Sequence, residues 1–166
     1  MPQVIVKVTP EKFMHALNFA RRTDPRINAA CSAETHIVLR IAQEFRRMYP
    51  QTLAVTLSTR TGDHKRKEQE FYRRDCHVRL AMDGNEVRGG FVVLDGELMG
   101  LWNTERGRGD WMMREALSLG ADRLDYFDIP ALATLYTRHG FVEVLREPNH
   151  TAGQPAVVWS RLKEEN

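Results

Sequence analysis

Two Asp-Gly pairs, Asp83-Gly84 and Asp95-Gly96, constrain this chain more than any other feature, because alternating apolar segments flank them. Asp-Gly favours the tight turn whose twist matches two antiparallel strands, so His77 to Trp102 reads as a three-stranded antiparallel meander. After Trp102 the punctuation changes. Asp110 to Leu119 is helical and ends at Gly120, Arg123 to Phe127 is a strand, and Pro130 to His139 is a helix closed by Gly140. Phe141 to Leu145 and Val157 to Arg161 are strands. An antiparallel front half followed by alternating strand and helix implies an α/β (α+β) fold, with a mixed, mostly antiparallel central sheet flanked by helices.

The N-terminal part supplies further elements. Gln3 to Val8 alternates as a short strand, and Pro10 opens a helix that buries Phe13, Leu17 and Ala20. Ile37, Val38, Ile41, Phe45 and Met48 recur at helical spacing, with Ser32 as the candidate N-cap, Pro50 as the stop, and Arg40, Glu44 and Arg47 on the other face. Leu53, Val55 and Leu57 read as a strand wet on one side.

A length of 166 residues suggests a single domain, 1–166. With 42% hydrophobic and 28% charged residues, and no apolar run near the roughly 18 residues of a membrane span, the composition is that of a soluble globular protein. The start, Met1 to Lys7, lacks the pattern of a secretory signal, so the expected location is cytoplasmic. Cys31 and Cys76 lie far apart and outside any Cys-x-x-Cys pattern, which points to reduced, packed thiols and no metal site.

The net charge of +2 implies no electrostatic partner, but Arg60 to Arg79 carries seven basic against four acidic side chains. That segment could contact a nucleic acid, with Phe71 and Tyr72 available to stack on bases. It could equally be a solvated loop, and the interleaved acids favour this second reading.

Arg106-Gly107-Arg108-Gly109-Asp110-Trp111 lies between the last meander strand and a helix. Glycines let the backbone approach a ligand, and the first N–H groups of a helix have no partner within it and carry the positive end of its dipole. Phosphate or pyrophosphate is the first ligand to consider for such a turn; taken alone, a Gly-x-Gly is more often an ordinary strand-to-helix connection, so the surroundings decide.

This loop and the run Leu135-Tyr136-Thr137-Arg138-His139-Gly140-Phe141 resemble the two motifs of the GCN5-related N-acetyltransferase (GNAT) superfamily. The first is Arg/Gln-x-x-Gly-x-Gly/Ala, matched by Arg106 and Gly109; the second is Leu-Tyr-x-x-x-Gly-Phe, matched by Leu135, Tyr136, Gly140 and Phe141. One helix and one strand separate them, as in the family. The resemblance is good from about Val87 to Leu145 and only in outline before that. Leu124 to Asp128 and Pro148 to Gly153 are more loosely similar to small acetyltransferase-like proteins of bacteriophages. Two departures stand out. Trp111 occupies the position of the motif's final Gly or Ala, where it could crowd a pyrophosphate, turn into the core or stack on adenine. Five candidate strands precede the loop where the family has four.

The resemblance implies acetyl-CoA as cosubstrate and an amine as acceptor, attacking the thioester directly. It further implies that the strand before the loop splays away from the next parallel strand, Arg123 to Phe127, so that the pantetheine arm fits between them. Backbone groups near Leu101, Trp102 and Asn103 would then hold the pantetheine and polarise the thioester. The N–H groups of Gly107, Arg108, Gly109, Asp110 and Trp111, with the Arg106 and Arg108 side chains, would hold the pyrophosphate. Tyr136 would protonate the departing thiolate. For the base, Glu97, Glu105, Asp125 and Asp128 are available and no spacing selects among them; His139 lies near the Tyr136 face but suits a helix C-terminus. Two other functions remain open on these residues: an inactive GNAT-fold binding or inhibitory module, and a nucleic-acid-directed protein using the basic segment.

Overall fold

A computed structural model describes residues 3–31, 33–50, 62–105 and 107–164. Along the chain run β1 (Gln3–Lys7), α1 (Pro10–Thr23), α2 (Pro25–Ala30), α3 (Glu34–Met48) and α4 (Gly62–Arg74). They are followed by β2 (Cys76–Asp83), β3 (Glu86–Leu94), β4 (Glu97–Asn103), α5 (Arg108–Ser118), β5 (Arg123–Phe127), α6 (Pro130–Arg138), β6 (Phe141–Glu147) and β7 (Val157–Leu162). The strands form one sheet in the order β1-β2-β3-β4-β5-β7-β6. Every pairing is antiparallel except β4 with β5. This is the mixed, mostly antiparallel sheet expected from the turn signals, and the meander spans β2 to β4.

Each face of the sheet is covered by its own core. On one face Phe13 and Leu17 of α1, Ile27 of α2, Ile37 and Ile41 of α3 and Phe71 of α4 pack on Val78, Leu80, Val92 and Trp102. On the other, Met112, Met113 and Ala116 of α5 and Tyr136 of α6 pack on Phe91, Val93, Leu98 and Leu124. Local caps start the first helices. The Thr9 hydroxyl accepts from the Lys12 N–H at 3.2 Å, and Asp24 ends α1 while accepting from the Arg26 N–H at 2.9 Å to begin α2. Glu34 then ties α3 to α1, accepting from Asn18 at 2.5 Å and Arg21 at 2.7 Å.

Two expectations change. The basic segment, read as a solvated loop, is largely the amphipathic helix α4: Asp63 pairs with Lys67 at 3.0 Å, and Glu70 with Arg73 at 2.7 Å and Arg74 at 3.2 Å. These pairs at three- and four-residue spacing support a helix from its own surface. Phe71 is fully buried and meets Phe45 at 5.2 Å, while Tyr72 packs edge-on against Phe71, so neither is a free stacking platform. The second change is α2, which sequence periodicity did not indicate. Four described strands precede the Gly loop; the fifth candidate, Leu53 to Leu57, lies outside the described residues, as does Ser32. Among the described residues no helix is long and apolar enough to cross a membrane.

Candidate active site

A break in the sheet creates the site. The parallel strands β4 and β5 pair only at Glu97↔Arg123 and Leu98↔Leu124, and beyond those positions no ladder joins them. The cause is on the other side of β4. Its register against β3 runs Val92↔Met99 and then Gly90↔Trp102, so Gly100 and Leu101 together stand opposite Phe91. Such a bulge bends its strand and increases the twist, here turning β4 away from β5. Gly100 has φ +62°, and a Cβ there would lie 2.6 Å from the Ile37 Cδ1, so backbone strain and lack of space both favour glycine at this position.

The gap opens into a cleft of about 150 Å³ that draws its walls from both faces of the sheet. Cys31, His36, Ile37 and Arg40 line it from the α2–α3 side, and Leu132 and Tyr136 from α6. Cys31 Sγ–H donates to the Leu101 carbonyl at 3.4 Å, and burial pushes this thiol up to about 12. Of the three β4 residues expected to hold pantetheine, Leu101 lines the gap. Trp102 and Asn103 pair with Gly90 and Gly89 of β3, and the Trp102 ring sits in the first core.

Directly after β4 the chain enters the start of α5. Gly107 is the N-cap, with φ +88° and open space around it, and brings no side-chain cap to the first N–H groups. Gly109 is small for a different reason: a Cβ there would lie 3.2 Å from the Leu135 Cδ1, so the second motif packs on the first. The Arg108 side chain, expected to hold an anion, is instead 5% exposed and pairs with Glu105 at 2.8 Å, with Asp83 at 3.7 Å. Its guanidinium holds the Glu105 carboxyl below the usual range. Arg108 therefore faces the loop with its backbone alone. Arg106 lies outside the described residues.

Asp110 accepts from His139 Nε2 at 2.6 Å and Arg138 Nη2 at 2.8 Å, joining the start of α5 to the end of α6. Those two bonds, His139 first, hold its carboxyl below the usual range. His139, considered from its spacing as a group near Tyr136, is thus engaged at the helix junction. Trp111 packs against the second core, the inward outcome of the three considered for it.

Tyr136 is 6% exposed, with its ring 5.1 Å from Tyr126 and edge-on to Phe141. Burial, reinforced by the negative forms of Cys31 and Asp125 nearby, pushes its phenol well above the ordinary range. The four candidate acids separate cleanly. Glu105 pairs with Arg108, and Asp128 with Arg146. Glu97 and Asp125 line the cleft. Glu97 is buried and pairs with Arg40 Nη2 at 2.6 Å. Asp125 has no ion-pair partner among the described residues; it is open to the cleft, yet the walls strip enough hydration to raise its pKa, and the Glu97 charge raises it further.

Sequence reasoning missed Arg40 and His36. Arg40 was assigned to the outer face of its helix, but it follows Ile37 by three residues and so borders the buried stripe, which was the available signal.

No protein-family model matches the sequence, and no curated protein matches it. Solved structures do match along almost its whole length. A GNAT-family acetyltransferase from Streptococcus pneumoniae is 14% identical over 96% of this chain and 97% of its own, with a TM-score of 0.57. Ard1 from Thermoplasma volcanium is 12% identical over 99% and 100%, with a TM-score of 0.53. A variant of the spermidine N-acetyltransferase SpeG from Vibrio cholerae is 10% identical over 96% and 94%, also at 0.53. Two of these three are named as acetyltransferases, and this chain has the fold that all three share.

Proposed function

We propose that this chain with the GNAT fold is an acyl-CoA-dependent N-acetyltransferase that moves an acetyl group from acetyl-CoA to an amine by direct attack. One observation carries the reading: the bulge at Gly100 opens β4 from β5, and the same strand then delivers the chain to the uncapped start of α5. A strand gap suits the amide-bearing pantetheine arm, and the helix start suits its pyrophosphate.

Acetyl-CoA supplies the thioester. The backbone around Leu101 orients it, and the N–H groups of Arg108, Gly109 and Asp110 meet the pyrophosphate without help from the Arg108 side chain. Tyr136 then protonates the leaving thiolate. The raised phenol pKa keeps Tyr136 protonated, the form that can donate. A cleft that disfavours charge also makes a departing thiolate more basic, which favours its protonation.

Titration calorimetry with acetyl-CoA tests the reading, and no binding would overturn it. Tyr136→Phe should lower turnover by about 10²–10⁴-fold while leaving acetyl-CoA affinity nearly intact. Unchanged turnover in that variant would remove Tyr136 from the mechanism and leave the cosubstrate assignment standing.

A further inference from the structure

Resting on the acetyltransferase reading, the acceptor side of the cleft carries a more specific assignment. Glu97 and Asp125 project from the two parting strands into one small space, and they are not equivalent. Glu97 is neutralised by Arg40, whose guanidinium reaches it at 2.6 Å from α3. Asp125 faces the cleft with no cation within ion-pair distance among the described residues. Arg40, committed to Glu97, acts on Asp125 only as a more distant charge, so this carboxylate, open to the cleft, can still take a cation. Ile37, Met99, Phe127 and Leu132 add apolar side chains to the lining, and a volume near 150 Å³ suits a short chain beside an acetyl group.

We infer that Asp125 binds the ammonium of a short aliphatic primary amine and takes its proton, while Arg40 keeps Glu97 from competing for it. The ammonium proton passes to the Asp125 carboxylate, and the freed nitrogen lone pair attacks the thioester carbonyl. The C–N bond forms, the C–S bond breaks, and the thiolate takes the Tyr136 proton. The nitrogen's second proton restores the Tyr136 phenol, and Asp125 releases its own to solvent through the open cleft. One amide, one thiol and one proton leave for each ammonium and thioester consumed.

The groups facing Asp125 are Glu97 of β4, His36 and Arg40 of α3, Cys31 after α2, and Tyr126 and Tyr136. Since Asp125 acts when deprotonated, the rate must rise with pH through its titration. Glu97 raises that titration, so Glu97→Gln must move the acid limb to lower pH.

The experiment uses the full chain, saturating acetyl-CoA and n-propylamine, with n-propanol as the uncharged control. The wild type should acetylate n-propylamine and not n-propanol, with an acid limb in its pH profile. Asp125→Asn should lower kcat/KM for the amine by about 10²–10⁴-fold and erase that limb, with acetyl-CoA affinity and melting temperature unchanged. Glu97→Gln should displace that limb downward. Acetyl-CoA binding without transfer to n-propylamine, or an Asp125→Asn enzyme with the wild-type rate and limb, would overturn the assignment. Absence of acetyl-CoA binding would fail the acetyltransferase reading itself, and calorimetry separates the two results.

Discussion

Gly100 shows how a single missing side chain shapes the site. Its left-handed backbone permits the bulge, and its lack of Cβ lets the Ile37 methyl fill the space beneath. Replacing it with alanine brings a cost of about 1–2 kcal/mol for the left-handed backbone and about 1–3 kcal/mol for overpacking. Gly100→Ala should therefore shift the denaturant midpoint to lower concentration by an amount equivalent to roughly 2–5 kcal/mol. If β4 relaxes by flattening toward β5, acetyl-CoA affinity falls as well. A variant with wild-type stability would show that the bulge does not need glycine. The sequence did not mark this residue, because one glycine in an apolar strand signals a bulge or close approach without saying which neighbour approaches. Arg108 marks the complementary limit: composition placed a cation in the loop, but the direction of its side chain depends on Glu105 and Asp83, and Asp83 belongs to a hairpin far along the chain.

Among the elements, the α5–α6 junction is the most exposed to acid. Asp110 at the start of α5 holds Arg138 and His139 at the end of α6 and so fixes the helix that carries Tyr136. Because its folded pKa lies below the unfolded value of 3.8, its contribution is present above that pH and is lost as the pH falls through the folded value. Asp110→Asn should lower the melting temperature at pH 6, and the loss should shrink as the pH is taken progressively below 3.8, a comparison that scanning calorimetry can make. An equal loss at every pH would mean that the residue acts through packing. The strands and long helices at this scale were legible, since hairpin turns, apolar periodicity and Gly stops all act locally. Two helices were not. α2 has six residues, too few for a periodic stripe, and rests on the Asp24 cap and Pro25. In α4 only His64 and Phe71 are buried, so its helical character lies in charge spacing, which a net count of charges conceals.

At the scale of the whole molecule, the cleft is a passage between the two faces of the sheet. Its walls come from α2 and α3 on one side and α6 on the other, while β4 and β5 form its edges. This explains why the motifs were readable and the acceptor side was not: the Gly loop and the Tyr136 run lie on successive elements of the back half, whereas Cys31, His36 and Arg40 reach the gap only through the tertiary fold. It also predicts a footprint for acetyl-CoA in hydrogen exchange. Protection should rise at Met99 to Leu101, at Arg108 to Asp110 and at Asp125 to Phe127, three tracts separated in sequence. The α4 amides, 62–74, should be unaffected, since that helix lies against the first core and does not line the cleft. With ligand at 100 times its Kd, linkage adds about 2.7 kcal/mol to global stability, so the comparison belongs at early exchange times, when local opening dominates. Protection confined to α4 would move the ligand to the basic helix and separate the GNAT fold of this chain from acetyl transfer.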